Sequence, residues 1–347
     1  MWDVAIVGSG PAGASCAAFC ARAGLRTLAL ERATFPREKV CGDCLNPTCW
    51  PVLERLGVAA EVRAAPHGKL SVVEFIDLKG RSTRVPLPNG ENSEIAIKRS
   101  LLDQILLRRA RSSGAEVREG ETLVSVRKRE HWKIRTDHSE ENAQLLIAAD
   151  GRNSSVARLC SLMPRKGRDR VALQTHIPLP RGFGDRIVLQ LLREGYSGQA
   201  PVSDDLLNLC LVSRPNEMPS IKRWAEKEFA ISSDHAWRTI APLARPALPA
   251  SQPDLFLVGD AARVVEPFTG EGIYYALRSG ELAAEAIMAG NHRQYSAAHR
   301  KLYAGRLWIN ALARHAVEHP CLTTTLLRFA PNEKRALGFL TAKVVRP

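Results

Sequence analysis

The stretch Asp3-Val-Ala-Ile-Val-Gly8-Ser-Gly10-Pro-Ala12-Gly13 decides the fold. A run of strand-forming apolar residues stops at a glycine, and a segment of small residues suited to a closely packed helix follows. Gly8 lets the chain turn sharply out of a buried strand, Gly10 lets backbone approach a diphosphate, and Gly13 lets the helix pack against the sheet. The diphosphate then sits on the helix N-terminus, where free N–H groups and the helix dipole favour negative charge. Glu31 closes the next apolar run, Leu25–Leu30, eighteen residues after Gly13. A carboxylate there accepts from both ribose hydroxyls of an adenosine. A lone glycine repeat is weak, but strand, glycines, helix and acid in this order predict a dinucleotide-binding unit, equally suited to FAD and to NAD.

A chain of 347 residues is long enough for about two domains. No apolar run reaches the length a spanning helix needs, and the first residues are already strand, leaving no room for a secretory leader. A cytoplasmic protein is expected, with peripheral contact at the inner face of the membrane as a further expectation. Eight cysteines in a chain of this size do not suggest a disulfide framework. The formal charge of +13 calls for an anionic partner. With 6% aromatics and no nucleic-acid-binding motif, nucleic acid is excluded in favour of an anionic cofactor and anionic lipid. From His292 to Pro347 ten Lys/Arg face two Glu, a local charge of +8. Leu302, Leu307, Ile309 and Leu312 fall at helical spacing among these cations, which predicts helices with a basic face; they either dock on anionic membrane or simply cap the dinucleotide-binding unit.

Residues 32–47 carry no periodicity and read as a polar loop covering the cofactor. Cys41, Cys44 and Cys49 lack a fourth ligand at matching spacing, so no metal site is expected. A redox pair Cys41–Cys44 and a plain loop both stay open. Leu70–Asp77 and Glu94–Ile97 read as strands around a turn-rich 86–92. Ser100-Leu-Leu-Asp103 has capping-box spacing and opens a helix, with Arg99 just outside it and either solvated or reaching the cofactor. Leu123–Arg129 and Trp132–Thr136 form a hairpin. Leu145–Ala149 is apolar throughout, as in a central parallel sheet. Val171–Val212 alternates like a second, antiparallel sheet, and Pro242, Pro246, Pro249 and Pro253 mark a non-helical return. That return ends in another buried strand, Asp254–Gly259, followed by Asp260 and Pro267-Phe-Thr-Gly270-Glu-Gly272 before a helix.

Gly8/Gly10/Gly13 with Glu31, Asp150-Gly151, and Gly259-Asp260 with Pro267…Gly270-Glu-Gly272 resemble, in combination, the FAD-dependent oxidoreductases built like p-hydroxybenzoate hydroxylase. The loop Lys39-Val-Cys41-Gly42-Asp-Cys44 and the run Lys98-Arg99-x-x-Leu102-Asp103 are similar to the geranylgeranyl reductase family within them. The resemblance covers about residues 1–290 and implies an α/β fold: a Rossmann-like FAD-binding domain (1–65, 95–160, 250–290), an inserted antiparallel-sheet substrate domain (66–94, 161–249) and a helical C-terminal segment (291–347). It implies FAD contacts at Gly8, Gly10, Ala12, Gly13, Glu31, Arg32, Cys41, Gly42, Arg99, Leu123, Asp260, Gly270, Gly272 and Ile273. Where prenyl reductases carry Tyr-x-Trp-x-Phe-Pro along the isoprenoid channel, this chain has Tyr196-Ser-Gly198-Gln-Ala200-Pro201. Tyr196, Gly198 and Ala200 are therefore expected to line a wider pocket.

Three functions follow from the resemblance. The first is reduction of carbon–carbon double bonds in a lipophilic, isoprenoid- or polyketide-like substrate by hydride from reduced flavin. The second is a monooxygenase working through a flavin C4a-hydroperoxide; the Trp-x-Trp-x-Ile-Pro stretch of flavin halogenases is missing. The third is a non-enzymatic electron-transfer partner. No second dinucleotide motif is present, so NAD(P)H, if it is the external donor, binds without its own Rossmann domain. Glu266, His176 and Tyr196 each have a structural explanation, and no side chain is singled out as catalytic.

Overall fold

The computed structural model describes residues 1–164, 170–329 and 332–345. Arg346 of the basic segment and residues 165–169 of the expected second domain lie outside them. The first strand, Trp2–Val7, runs parallel to Thr27–Glu31 on one side and to Glu140–Ala148 on the other. Leu255–Leu257 extends the parallel set. Val4, Ala5, Ile6 and Val7 are buried on both faces, as a covered parallel sheet requires. The helix Pro11–Arg22 packs on one face together with Gly272–Met288. Close approach explains its small residues. A Cβ on Gly13 would lie 1.8 Å from the Gly8 carbonyl oxygen, and one on Gly280 would lie 2.3 Å from that of Ala12. The hairpin Leu123–Lys128 and Trp132–Thr136 joins the same sheet by antiparallel pairing to Glu140–Ala148.

A second, seven-stranded sheet contains Val171–Pro178, Arg186–Leu192, Gly195–Pro201 and Leu206–Ser213. It is mixed rather than purely antiparallel, because Val72–Ile76 enters it parallel to Arg186–Leu192. Distant segments supply these two neighbours, so no hairpin constrains their direction. A small three-stranded sheet of Cys44–Leu45, Ile95–Ala96 and Gly68–Lys69 lies against the second sheet; a Cβ on Gly68 would sit 1.8 Å from the Pro201 oxygen.

Several sequence expectations change. The 32–47 loop ends in the strand Cys44–Leu45, Ser82–Pro86 is a strand, and helices form at Trp50–Leu56, Ala59–Ala64 and Met218–Glu228. The capping box at Ser100 does not form. The helix begins at Arg99 with Lys98 as N-cap and no side-chain cap, because Asp103 is drawn to the Arg99 guanidinium instead.

The C-terminal segment is helical, at His292–Tyr303, Leu307–Glu318, Pro320–Phe329 and Glu333–Val345. Polar contacts stitch it to the rest. Tyr295 donates to the Leu257 oxygen at 2.7 Å, Arg306 pairs with Glu271 at 2.7 Å, Arg81 with Glu333 at 2.9 Å, and Asn46 donates to the Val344 oxygen at 3.2 Å. No helix among the described residues is long and apolar enough to cross a membrane.

Candidate FAD and substrate site

A cavity of about 1230 Å³ runs from the first strand–helix turn to the space between the second sheet and the C-terminal helices. Gly8, Gly10, Ala12, Glu31, Arg32, Cys41, Gly42, Arg99, Leu123, Asp260, Gly270, Gly272 and Ile273 all line it, as do Tyr196, Gly198 and Ala200. Gly13 does not; it sits behind the wall, where it sets the spacing of helix and sheet.

The turn end is polar. Gly10 caps the first helix with no side-chain hydrogen bond, so the N–H groups there remain available to a ligand. The Arg37 guanidinium comes within 3.4 Å of the position a Gly10 Cβ would take, and that of Arg99 within 4.0 Å. Arg99 makes a two-pronged bond to the fully buried Asp103, Nε to Oδ1 at 2.7 Å and Nη2 to Oδ2 at 2.8 Å. Arg37 lies 3.3 Å from the same carboxylate, and its own Nε is buried without a hydrogen-bond partner. Burial, and then the charges of Arg99, Arg37 and Arg152, push the Lys39 ammonium down to about 8, against the pull of Asp260. Arg37 and Arg99 thus stand beside an uncapped helix N-terminus, and together with Arg152 they disfavour the charged form of Lys39, the electrostatic condition that a bound diphosphate relieves. The residues present therefore fit the diphosphate of FAD.

Glu31 is 7% exposed and accepts from the Ser9 N–H at 2.8 Å and the Ala33 N–H at 3.1 Å. This orients the carboxylate and leaves lone pairs on both oxygens toward the cavity. Asp260 pairs with Arg152 at 2.9 Å, while Arg245 donates to the Asp260 and Ala261 carbonyl oxygens and fixes the backbone there. Asp150 works locally, its carboxylate accepting from the Ser155 and Val156 N–H groups at the start of a short helix. Gly270 and Gly272 line the cavity at the N-terminus of the helix Gly272–Met288, which also has no side-chain cap.

The Cys41–Cys44 loop is held from behind. Asp43, at φ 58, is buried and meets His176 Nε2 at 2.8 Å, and Asn208 donates to the Cys41 oxygen at 2.9 Å. Burial pushes the Cys41 and Cys44 thiols up, so both are protonated at neutral pH, and all eight cysteines are free. Tyr196 stacks edge-on against Phe268 at 5.2 Å, and its hydroxyl donates to Glu266 at 3.4 Å; Glu266 is paired with Arg170. Gly198 has only Leu189, at 3.8 Å, near where its Cβ would be, so the wall there is open.

Sequence reading missed Arg37, Lys39 and Arg152, which lie on loops without periodicity. It also missed the roof: Leu312, Leu322, Leu326, Leu340 and Val345 of the C-terminal helices line the cavity. The helical spacing of Leu312 was the available signal, but a stripe of that kind does not say what it covers.

A Rossmann-like sheet, a diphosphate cradle on the first helix and a second sheet across a shared cavity define an FAD-binding enzyme of the oxidoreductase class. The chain belongs to the FAD binding domain family, which matches residues 1–179. It is 30% identical over 326 residues to a menaquinone reductase of Mycolicibacterium smegmatis, covering 85% of this chain and 78% of the relative. Among solved structures, a flavoprotein/dehydrogenase from Cytophaga hutchinsonii superposes with a TM-score of 0.81 at 20% identity, over 99% of this chain and 92% of that one. A flavin-dependent brominase does so with a TM-score of 0.79 at 20% identity, over 99% and 94%.

Proposed function

We propose that the protein is a flavin-dependent reductase of carbon–carbon double bonds in a lipophilic, isoprenoid- or polyketide-like molecule. The observation that carries this reading is the single cavity, polar where the cations gather and apolar beyond Tyr196. Its volume exceeds the ~300–1,000 Å³ of an ordinary ligand pocket, which suits a cofactor and a substrate together. Similarity to a menaquinone reductase supports it, since menaquinone is a quinone with an isoprenoid tail.

In this reading Glu31 holds the adenosine ribose, Arg37, Lys39, Arg99 and the first helix hold the diphosphate, and Asp260 with Arg152 holds the ribityl chain. FAD supplies two-electron chemistry when bound. The uncapped N-terminus of Gly272–Met288 would favour negative charge on a reduced flavin held there. Phe75, Leu189, Leu191 and Phe268 line the cavity and would exclude water from it. NAD(P)H or another external donor approaches without a domain of its own.

The test is product mass after anaerobic incubation of the FAD-loaded, chemically reduced enzyme with menaquinone, and again with oxygen present. Gain of two hydrogens supports reduction; gain of an oxygen atom supports the second reading, a monooxygenase. Fold likeness to a brominase favours that second reading, as does the open wall at Gly198 and Ala200, which admits a ring.

Peripheral membrane contact belongs to the same proposal. Leu322 and Leu326 line the cavity yet are half exposed, and Trp308, Phe329 and Phe339 are exposed on the C-terminal helices, which also carry the basic residues. A lipid would enter there. Absence of co-sedimentation with anionic vesicles at low salt would remove the membrane from the proposal.

A further inference from the structure

Beyond the cations at the diphosphate end, one cavity group stands apart. Glu94 is 5% exposed and lines the cavity beside Cys44 and Asn46. Its carboxyl makes no hydrogen bond and no ion pair with any described residue. The other buried carboxylates of the cavity wall are engaged: Glu31 by the Ser9 and Ala33 amides, Asp77 by Arg81 and the Lys79 amide.

Glu94 immediately precedes the short strand Ile95–Ala96. Its neighbours Ser93 and Ile95 line a separate groove with Trp50, Arg63 and His67, whereas Glu94 itself lines the cavity, toward which Ala96 packs with Leu70, Val73, Ala200 and Val345. The Glu94 oxygens are not among the sealed polar atoms without a partner but open onto the cavity, where a bound molecule meets them.

We propose that Glu94 is the proton donor of the reduction, delivering its carboxyl hydrogen to the substrate carbon that does not receive hydride. This deepens the reductase reading and rests on it. In the balanced step the carbon–carbon π bond breaks, and hydride from the reduced cofactor forms one C–H bond. The Glu94 O–H breaks to form the other, leaving its electron pair on the carboxylate. Water from the cavity mouth then reprotonates the carboxylate, and the oxidised cofactor is reduced again by an external two-electron donor.

The surroundings keep the proton in place. Burial alone raises Glu94 to about 8. The titratable groups that feel it are the Cys44 and Cys49 thiols, both raised mainly by burial and hence neutral. Lys69 on the paired sheet and Lys343 on the last helix are exposed to solvent, and Arg63 and His67 lie along the opposite groove. Other acids fit less well. The Tyr196 hydroxyl is committed to Glu266, and His176 is tied to Asp43 behind the loop.

The experiment compares wild type, Glu94→Gln and Glu94→Asp as full-length, FAD-loaded enzyme, reduced by dithionite without oxygen and mixed with menaquinone in micelles. Expected for Glu94→Gln is unchanged FAD content with flavin reoxidation slowed by about 10²–10⁴-fold, part of it regained in Glu94→Asp. The wild-type rate should fall as pH rises through about 8, and Glu94→Gln should lack that limb. Two readouts need no substrate. A protonated carboxyl band should appear in the infrared at pH 7 in wild type and vanish in Glu94→Gln. Because the folded state holds this proton up to about 8 and the unfolded chain only to about 4.5, wild type should lose thermal stability across that window relative to Glu94→Gln. Wild-type rates and pH profile in Glu94→Gln, or no neutral carboxyl at pH 7, overturn the assignment. A wild type that adds oxygen rather than hydrogen overturns the reductase reading and the donor role with it, while the infrared band reports separately whether the carboxyl is held neutral.

Discussion

At one end of the cavity, Gly8, Gly10, Ala12 and Glu31 come from a single short run of chain, pinned by backbone hydrogen bonds and surrounded by cations. At the other, Phe75, Leu189, Leu312 and Val345 come from four separate segments and meet through apolar contact. The polar end depends on direction and charge, and each group there has few permissible positions. The apolar end depends on volume, and many side-chain sets fill the same volume. A motif can therefore encode the first and not the second, so recognition of the cofactor and selection of the substrate are separable by mutation.

The largest expected effect strikes the turn. Gly13→Ala places a Cβ 1.8 Å from the Gly8 backbone oxygen, a contact that no rotamer relieves. The cost should reach or exceed the ~3 kcal/mol of severe overpacking. Flavin absorbance should vanish from the purified protein and its Tm should drop. Full FAD content in this variant would break the claim that helix–sheet spacing builds the cradle.

Arg99→Ala comes next. It strips the buried Asp103 of its two-pronged partner, and removing one member of such a pair costs about 3–5 kcal/mol. Arg37 stays 3.3 Å away, which places the expected loss near the lower bound, together with weakened FAD retention. Denaturant unfolding with and without added FAD separates the two effects.

Gly198→Trp tests the opposite end. The Cβ is accommodated, and the ring must enter the cavity, so turnover should fall at least tenfold while FAD content and Tm hold. Unchanged turnover would show that the width there selects nothing.

The smallest effect is a pH dependence. Lys39 is charged below about 8 in the FAD-free protein, so FAD affinity should weaken several-fold between pH 7 and 9, and Lys39→Met should flatten the profile. The sign for stability is opposite. The unfolded chain holds this proton to about 10.5, so the FAD-free fold gains stability as pH rises from 8 toward that value. Titrating FAD against both proteins by fluorescence measures the difference.

The first strand, its turn, the first helix and Glu31 were legible because their chemistry is local: buried strand, sharp turn and helix start follow one another in the chain. The second unit was legible as alternating strands, but not the entry of Val72–Ile76 parallel to Arg186–Leu192, since pairing of distant strands leaves no mark on either one. Ser100 and Asp103 show the converse. Their capping spacing was present, yet a guanidinium in reach outcompeted the backbone amides for the carboxylate.

The sequence by itself determined a dinucleotide-binding unit, its α/β class and the helical nature of the C-terminal segment, because periodicity and glycine spacing are written in consecutive residues. Only the tertiary structure decided that Arg37 joins Arg99 at one helix end with Lys39 and Arg152 within electrostatic reach, that the last helices roof the cavity, and that Glu94 faces it without a partner among the described residues. Charge state and burial are properties of neighbours, and these neighbours are brought together from positions far apart in the chain.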